Sequence, residues 1–247
     1  MVKKNDHNFT YRKYEVQEKS IGEFFYKYKK DKHFIGFNVT IPYKENFISL
    51  CDKVTARAKE IGSINLTYKK NNLVYGDNTD VLGFNKTFNF LKIKNTRSVL
   101  MIGAGGAARA ILYYLNKKSI ENIDIFATST KRKKDLSMKF KFKNFLTKSL
   151  HLKKGYDLII NASSAGMSKD NKINRNILYL VKKASGVIDI VYNPIETDLL
   201  KEAKKNNVKS SSGLKMLVEQ AKPSYERWCG NKIKIDNEIY QKLLRNI

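Results

Sequence analysis

The sequence predicts an α/β protein in two parts. An N-terminal α/β domain is followed by a doubly wound parallel-sheet domain, and C-terminal helices pack back on the first part. Three observations carry this reading. Four apolar runs, "RSVLMIG" at 97–103, "NIDIFAT" at 122–128, "YDLIINAS" at 156–163 and "GVIDIVY" at 186–192, recur with helical or basic stretches between them. Such runs suit parallel strands buried on both faces and joined by crossover helices. Before residue 92 strands and helices mix without that texture, and residues 213–247 read as two helices. The boundary falls near 92–97, which gives a first domain of 1–92 completed by 225–247 and a second of 93–224.

The elements follow in order. "NFTYRKYEV" (8–16) alternates like a strand, and "IGEFFYKYKKD" (21–31) has the spacing of an amphipathic helix. "FIGFNVTIP" (34–42) is β-branched and apolar, a strand that ends at Pro42. "KENFISLCDKVTARAKEIG" (44–62) is spaced as one helix stopping at Gly62. "INLTYKK" and "NLVYGDN" are short strands joined by an Asn71-Asn72 turn, and 80–94 reads as a helix. Pro223 is expected to kink the first C-terminal helix.

Composition narrows the function classes. The chain of 247 residues carries 48 Lys and Arg against 23 Asp and Glu, a formal charge of +25. The basic residues are spread along the whole chain, so the surplus reads as a compositional bias and not as a nucleic-acid arm. No recognition motif and no basic stripe interleaved with aromatics supports a nucleic-acid binder. Two cysteines, Cys51 and Cys229, cannot frame a disulfide scaffold, and neither has metal-ligand spacing to a Cys or His. The charged N-terminus shows no secretion signal and no apolar run of 18 residues is free of charge, so a cytoplasmic setting and no membrane partner are expected.

The second domain opens on a phosphate-binding pattern. "MIGAGGAARA" sets Gly103, Gly105 and Ala108 in G-x-G-x-x-A order, after a strand and at the start of a helix. The first glycine permits the tight turn, the second lets backbone approach a pyrophosphate, and Ala108 allows close helix–strand packing. The free N–H groups of the helix start then face the anion. This is the Rossmann-type arrangement for a dinucleotide. The next strand ends in "ATSTKRKK", with hydroxyls and cations where an NAD site wants a carboxylate for the ribose, and that favours NADP.

Two strand ends in the first domain are dense in polar groups: "NVTIPYK" with Asn38, Thr40 and Lys44, and "GDNTD" with Asp77, Asn78, Thr79 and Asp80. A nicotinamide enzyme needs a group that handles the proton when hydride moves, and a Lys beside an Asp can serve. Composition alone does not single out Lys44 among so many lysines.

The motifs "NVTIPYKE", "IGSIN", "GDNTD-LGF", "VLMIGAGGAAR", "DLIINASSAGM", "DIVYNP-ETDLL" and "SSGLKMLVEQA" resemble, in order and spacing over residues 8–247, those of the shikimate dehydrogenase family. The resemblance implies a substrate domain and an NADP domain with the active site in the cleft between them. It implies reversible, NADP-dependent interconversion of shikimate and 3-dehydroshikimate by a monomer or homodimer. By matched position Lys44 is the acid/base and Asp80 its partner, while Asn65, Thr40 and Gln220 hold ring hydroxyls. Tyr192 lines the substrate site and Asn38 supports it. Gly103, Ala104, Gly105, Gly106 and Ala107 cradle the pyrophosphate, and Thr128, Ser129, Thr130 and Lys133 face the adenosine phosphate. Ala162, Ser163, Ile190 and Gly213 border the ribose and nicotinamide.

The chain departs from the family pattern in three places. The family's first strand and its Ser-x-Ser-Pro motif, which binds the substrate carboxylate, have no counterpart: Ser20 is the only serine before Ser49, and no proline precedes Pro42. One strand of the first domain is therefore expected to be missing. A shortened or repurposed member with weak or no shikimate turnover, or a quinate-accepting one, is the alternative reading. The usual Asn-Arg-Thr is Thr128-Ser129-Thr130, and a usual glycine is Lys215, expected close to the cleft.

Overall fold

A computed structural model describes residues 10–153 and 155–245, which form two sheets with helices on their faces. Residues 10–17 run without regular structure up to a single 3-10 turn, Glu18–Ser20. The strand expected over 8–16 is absent from 10–16, and residues 8 and 9 lie outside the described residues. Side chains anchor this segment instead of a ladder: Tyr14 stacks on Phe34 and Tyr11 donates to Asn38 Oδ1 at 3.0 Å. Aromatic spacing here imitates strand alternation.

Helix α1 (Ile21–Lys30) buries Ile21, Phe25 and Tyr28 at helical spacing, as expected. Strand β1 (Gly36–Asn38) is shorter than the run 34–42 suggests. Beyond it the Val39 amide still bonds Asn65 O at 3.0 Å, and the chain turns at the cis Ile41–Pro42 bond. The single helix expected over 44–62 is broken into α2 (Phe47–Leu50), β2 (Lys53–Val54) and α3 (Ala56–Ile61). Pairing explains the break. Lys53 and Val54 align in parallel with Tyr75 and Gly76, and Asp52 accepts the Val74 amide at 2.8 Å. Thr55 caps α3, and Gly62 ends it at φ 72°, a left-handed position suited to glycine.

Strands β3 (Leu66–Lys70) and β4 (Leu73–Asp77) form the expected hairpin, with Asn71 and Asn72 at φ 51° and 57°. The first sheet has the order β1-β3-β4-β2. Helix α4 (Asp80–Phe90) then leads to the second sheet. Its elements are β5 (Val99–Ile102), α5 (Gly106–Lys117), β6 (Ile123–Phe126), α6 (Lys133–Lys139), β7 (Asn144–Leu146) and β8 (Leu158–Asn161). They continue as α7 (Arg175–Val181), β9 (Gly186–Asp189), α8 (Asp198–Lys205), β10 (Lys209–Ser211), α9 (Gly213–Cys229) and α10 (Asn237–Leu244). Helix α9 runs through Pro223 to Cys229.

All neighbours in the second sheet are parallel, in the order β10-β9-β8-β5-β6-β7. The chain reverses its winding between β5 and β8, the switch point where such sheets open a crevice at their carboxyl ends. The edge strands β7 and β10 escape the apolar-run criterion because both are short and β10 is "KSS". Inside, every residue of β5 is buried, with alternate side chains on opposite faces. Val99 and Met101 pack with Phe84, Ile111 and Met216, while Leu100 and Ile102 pack with Ile177, Val181 and Leu199. A separate core of Phe25, Tyr28, Phe47 and Ile64 supports the first sheet. Among the described residues no helix is long and apolar enough to cross a membrane.

Helix α4 meets α9 so closely that a Cβ on Gly83 would stand 2.6 Å from the Met216 carbonyl oxygen and 2.9 Å from Gln220 Cβ. Gly83→Ala is expected to force the two helices apart and to destabilise the fold by about 1–3 kcal/mol, the usual range for overpacking. Thermal unfolding checks this, and an unchanged midpoint contradicts it.

Candidate active site

The first sheet delivers a polar cluster to one end of β4. Asp77 ends the strand with its carboxylate saturated: Arg57 Nη2 donates at 2.6 Å, Thr55 Oγ1 at 2.7 Å and the Asn78 amide at 2.7 Å. These bonds fix the turn that follows. Asp80 then begins α4, where the positive end of the helix dipole favours a carboxylate. Lys44 Nζ donates to Asp80 Oδ2 at 2.6 Å, with the two side chains 14% and 6% exposed. Asn65 Nδ2 donates to Asp80 Oδ1 at 2.7 Å, so each carboxylate oxygen has its own partner.

Further bonds hold Asn65 in place. Its Oδ1 accepts the Thr79 amide at 2.6 Å, and Gln220 Oε1 on α9 accepts from its Nδ2 at 3.1 Å. Asn38 Nδ2 donates to Asn65 O at 3.0 Å and to Ser224 Oγ at 3.2 Å. Lys44, Asp80, Asn65, Gln220 and Asn38 are thus one connected set. Thr40 and Tyr192 are exposed, and among the described residues no side-chain hydrogen bond joins either to it.

The glycine turn lies directly against this set. Gly103 has φ 99°, and a Cβ there would lie 2.9 Å from both Ala162 O and Ser163 Cβ. A Cβ on Gly105, the cap of α5, would meet nothing within 4 Å, which leaves the open approach that a pyrophosphate needs. A Cβ on Gly106 would lie 3.1 Å from Lys44 Cβ and 3.2 Å from Lys44 Cδ. The lysine stem therefore crosses the cleft and rests on the first turn of α5. Ala104 is buried and Ala107 half-buried beside it.

Thr128, Ser129, Thr130 and Lys133 stand exposed beyond β6, with the Ser129 hydroxyl accepting the Lys131 amide at 3.2 Å. Ala162 is buried, and Ser163 is held by Asn161 Oδ1 at 2.7 Å. Gly213 is required by its seat, since a Cβ there would fall 2.0 Å from the half-buried Ile190's carbonyl oxygen. Lys215 does not reach the polar cluster. It lies 4.7 Å over the Phe90 ring and pairs with Glu219 at 3.6 Å, because its helical position faces the end of α4.

Comparison with known proteins fits this geometry. The family model described as the shikimate dehydrogenase substrate binding domain matches residues 1–67. A shikimate dehydrogenase (NADP(+)) of Methanococcus maripaludis is 35% identical over 237 residues, spanning 91% of this chain and 82% of the relative. The chain belongs to the shikimate dehydrogenase family. A second shikimate dehydrogenase (NADP(+)), from Caldanaerobacter subterraneus, is 37% identical over 84% of this chain and 76% of its own. The crystal structure of the Aquifex aeolicus shikimate dehydrogenase superposes with a TM-score of 0.78 at 32% identity, covering 89% of this chain and 80% of the other. A shikimate dehydrogenase solved in complex with NADP+ gives a TM-score of 0.77 at 28% identity, covering 94% and 83%.

Several residues in this site of a shikimate dehydrogenase family member carry no sequence signal of their own. Ser224 accepts from Asn38, and Tyr11 approaches Asn38 from the N-terminal segment. Under the crevice, buried Asp189 accepts from Asn161 Nδ2 at 2.9 Å, the Val191 amide at 3.0 Å and Thr197 Oγ1 at 2.6 Å. Only the helix-capping role of Thr197 could be read from spacing. Burial, with Asp52 nearby, pushes the Cys51 thiol up to about 12, which removes it as a nucleophile at neutral pH. Among the described residues no group of His, Cys, Asp and Glu could hold a metal ion.

Burial raises the Asp189 carboxyl from 3.8 to about 6, against the lowering effect of its three hydrogen bonds. The native state then binds the proton more tightly than the unfolded chain. The stability this gives is fully present below pH 3.8 and is lost as pH rises through about 6, a swing of about 3 kcal/mol. Asp189→Asn keeps the volume and removes the titrating proton, with Nδ2 in place of Oδ2 donating to Thr197 Oγ1 instead of accepting from it, so it is expected to flatten this descending part of the stability curve. Denaturant titrations across that pH window check it, and an unaltered slope contradicts it.

Proposed function

We propose that this chain catalyses the reversible, NADP-dependent reduction of 3-dehydroshikimate to shikimate, a step of the shikimate pathway to chorismate, in the cytoplasm. The observation that carries the reading is the Lys44–Asp80 pair, 2.6 Å apart, with its lysine stem resting on the glycine turn of α5. That contact supports reading Lys44 as a proton-handling group beside the position where a dinucleotide would be held. The relatives, named shikimate dehydrogenase (NADP(+)), supply the substrate and cofactor.

The residues fit the cofactor. The open Gly105 and the free amides at the start of α5 suit a pyrophosphate, and Thr128, Ser129, Thr130 and Lys133 offer hydroxyls and a cation to a 2′-phosphate. Ala162, Ser163, Ile190 and Gly213 border the crevice at the switch point. NADPH, when bound, supplies the hydride chemistry at C3 of the substrate. Lys44 then gives the proton from Nζ to the C3 oxygen in reduction and takes it back in oxidation. Asp80 holds Nζ in position through Oδ2, and its own place is set by Asn65. Asn65, Gln220 and Thr40 orient ring hydroxyls, while Tyr192 and Asn38 close the substrate side. In this reading the substrate domain comprises 1–92 with 225–247 and the NADP domain 93–224.

Lys44→Ala is expected to lower turnover by about 10²–10⁴-fold while NADPH still binds. Unchanged oxidation of NADPH by 3-dehydroshikimate in that variant would remove the acid/base assignment. NADPH is expected to outperform NADH in steady-state kinetics, and the reverse ranking would overturn the reading of the loop after β6. Assays with shikimate and quinate side by side test the substrate, and absence of shikimate-dependent NADP reduction by the folded chain rejects it.

A further inference from the structure

Outside the polar cluster, one group of charges spans the cleft. Glu45 directly follows Lys44 and belongs to the first-sheet side. Its Oε2 accepts from Arg109 Nη2 at 3.1 Å, and its Oε1 accepts from Arg132 Nη1. Both arginines come from the second-sheet side. Arg109 sits in the first turn of α5, only 2% exposed, and also pairs with Asp135 on α6. Arg132 ends the 3-10 turn Thr130–Arg132, inside the loop that carries Thr128, Ser129, Thr130 and Lys133. It is 44% exposed, and Glu45 is its carboxylate partner.

The two arginines therefore differ in freedom. Arg109 is buried, doubly paired and crowded, with its Nη1 3.1 Å from where a Cβ of Gly62 would stand. Among the described residues Arg132 has Glu45 as its one ionic partner, and its guanidinium side chain is part-exposed to solvent. A phosphate dianion arriving on its loop offers a guanidinium a stronger, bidentate partner than one shared carboxylate. The backbone next to Glu45 is already tied down, since Lys44 O accepts the Ile64 amide at 2.7 Å and the Asn46 amide bonds Tyr43 O at 3.0 Å. The carboxylate of Glu45 thus adds a charged link from that backbone to the second-sheet side, beside the Lys44 stem against Gly106 and the Ser63 hydroxyl that donates to Gly106 O at 3.3 Å.

We propose that Glu45 is a positioning residue that couples the cofactor-phosphate loop to Lys44, with the Glu45–Arg132 pair as a latch that the cofactor's 2′-phosphate takes over. The inference rests on the NADP reading above. In the resting chain Arg132 is held by Glu45, so a 2′-phosphate competes for it. When Arg132 turns to the phosphate, Glu45 stays with Arg109 alone and keeps Lys44 against α5.

The test uses Glu45→Gln, which keeps the volume and one acceptor but removes the charge. Dissociation constants for NADPH and NADH are measured by quenching of reduced-nicotinamide fluorescence, and kcat is measured with 3-dehydroshikimate. NADPH is expected to bind about two- to fivefold tighter, the scale of a partly exposed ion pair, while NADH is unchanged. In the same variant kcat is expected to fall about ten- to a hundredfold, as Lys44 loses one of the contacts that set its position against α5. Adding Arg132→Gln is expected to cancel the gain for NADPH. A lesion that merely loosened the fold would not strengthen one cofactor and spare the other. Equal shifts for both cofactors, or no shift, overturn the latch. If the unsubstituted chain binds neither cofactor, the NADP reading itself fails; if it binds NADPH and Glu45→Gln changes nothing, only the latch fails.

Discussion

The structure turns on the burial of one ion pair. Lys44 and Asp80 follow strands β1 and β4, which stop at the same end of the first sheet, and both are nearly out of water. Desolvating two charges costs more than their attraction returns unless every remaining lone pair finds a donor. Asn65 meets that demand at Asp80 Oδ1, and it can do so because Thr79, Gln220 and the backbone fix its amide. Much of the local architecture serves this one requirement. The Asp77–Arg57–Thr55 bonds lock the turn, and Gly83 lets α9 approach closely enough for Gln220 and Ser224 to join.

The second sheet solves a different problem. Its inner strands are largely apolar on both faces, so they specify a buried parallel sheet but say little about chemistry. The chemistry sits where they stop, at the Gly103 turn, at Ala162–Ser163 and at Ile190, all at carboxyl ends near the switch point. Asp189 shows what that arrangement requires. A carboxyl group held in the sheet by three donors keeps the crevice floor in place, and its burial raises the pH at which it gives up its proton to about 6.

Much of this was legible in the residues. The apolar runs marked β5, β6, β8 and β9 because a strand buried on both faces admits little else, and the glycine pattern marked the turn because only small residues fit there. The polar strand ends offered Asn38, Lys44 and Asp80, and the family resemblance singled out Lys44 and added Asn65 and Gln220; the fold brings these five together. What escaped was set by tertiary pairing. The stretch 44–62 has helical spacing, yet Lys53–Val54 gain more as an edge strand on β4. The segment 10–16 has aromatic spacing that serves packing, not a ladder. Lys215 is placed by the helical angle of α9, which sequence order alone does not reveal. Ser224 and Tyr11 depend on contacts across long separations, and no local pattern announces them.

The contact between Gly106 and the stem of Lys44 has a mechanical consequence. The two lobes already touch along that line, with the lysine methylenes where a side chain on α5 would begin. A side chain at position 106 would have to displace that stem, so the spacing of the two lobes along this line depends on a residue that contributes no side chain of its own.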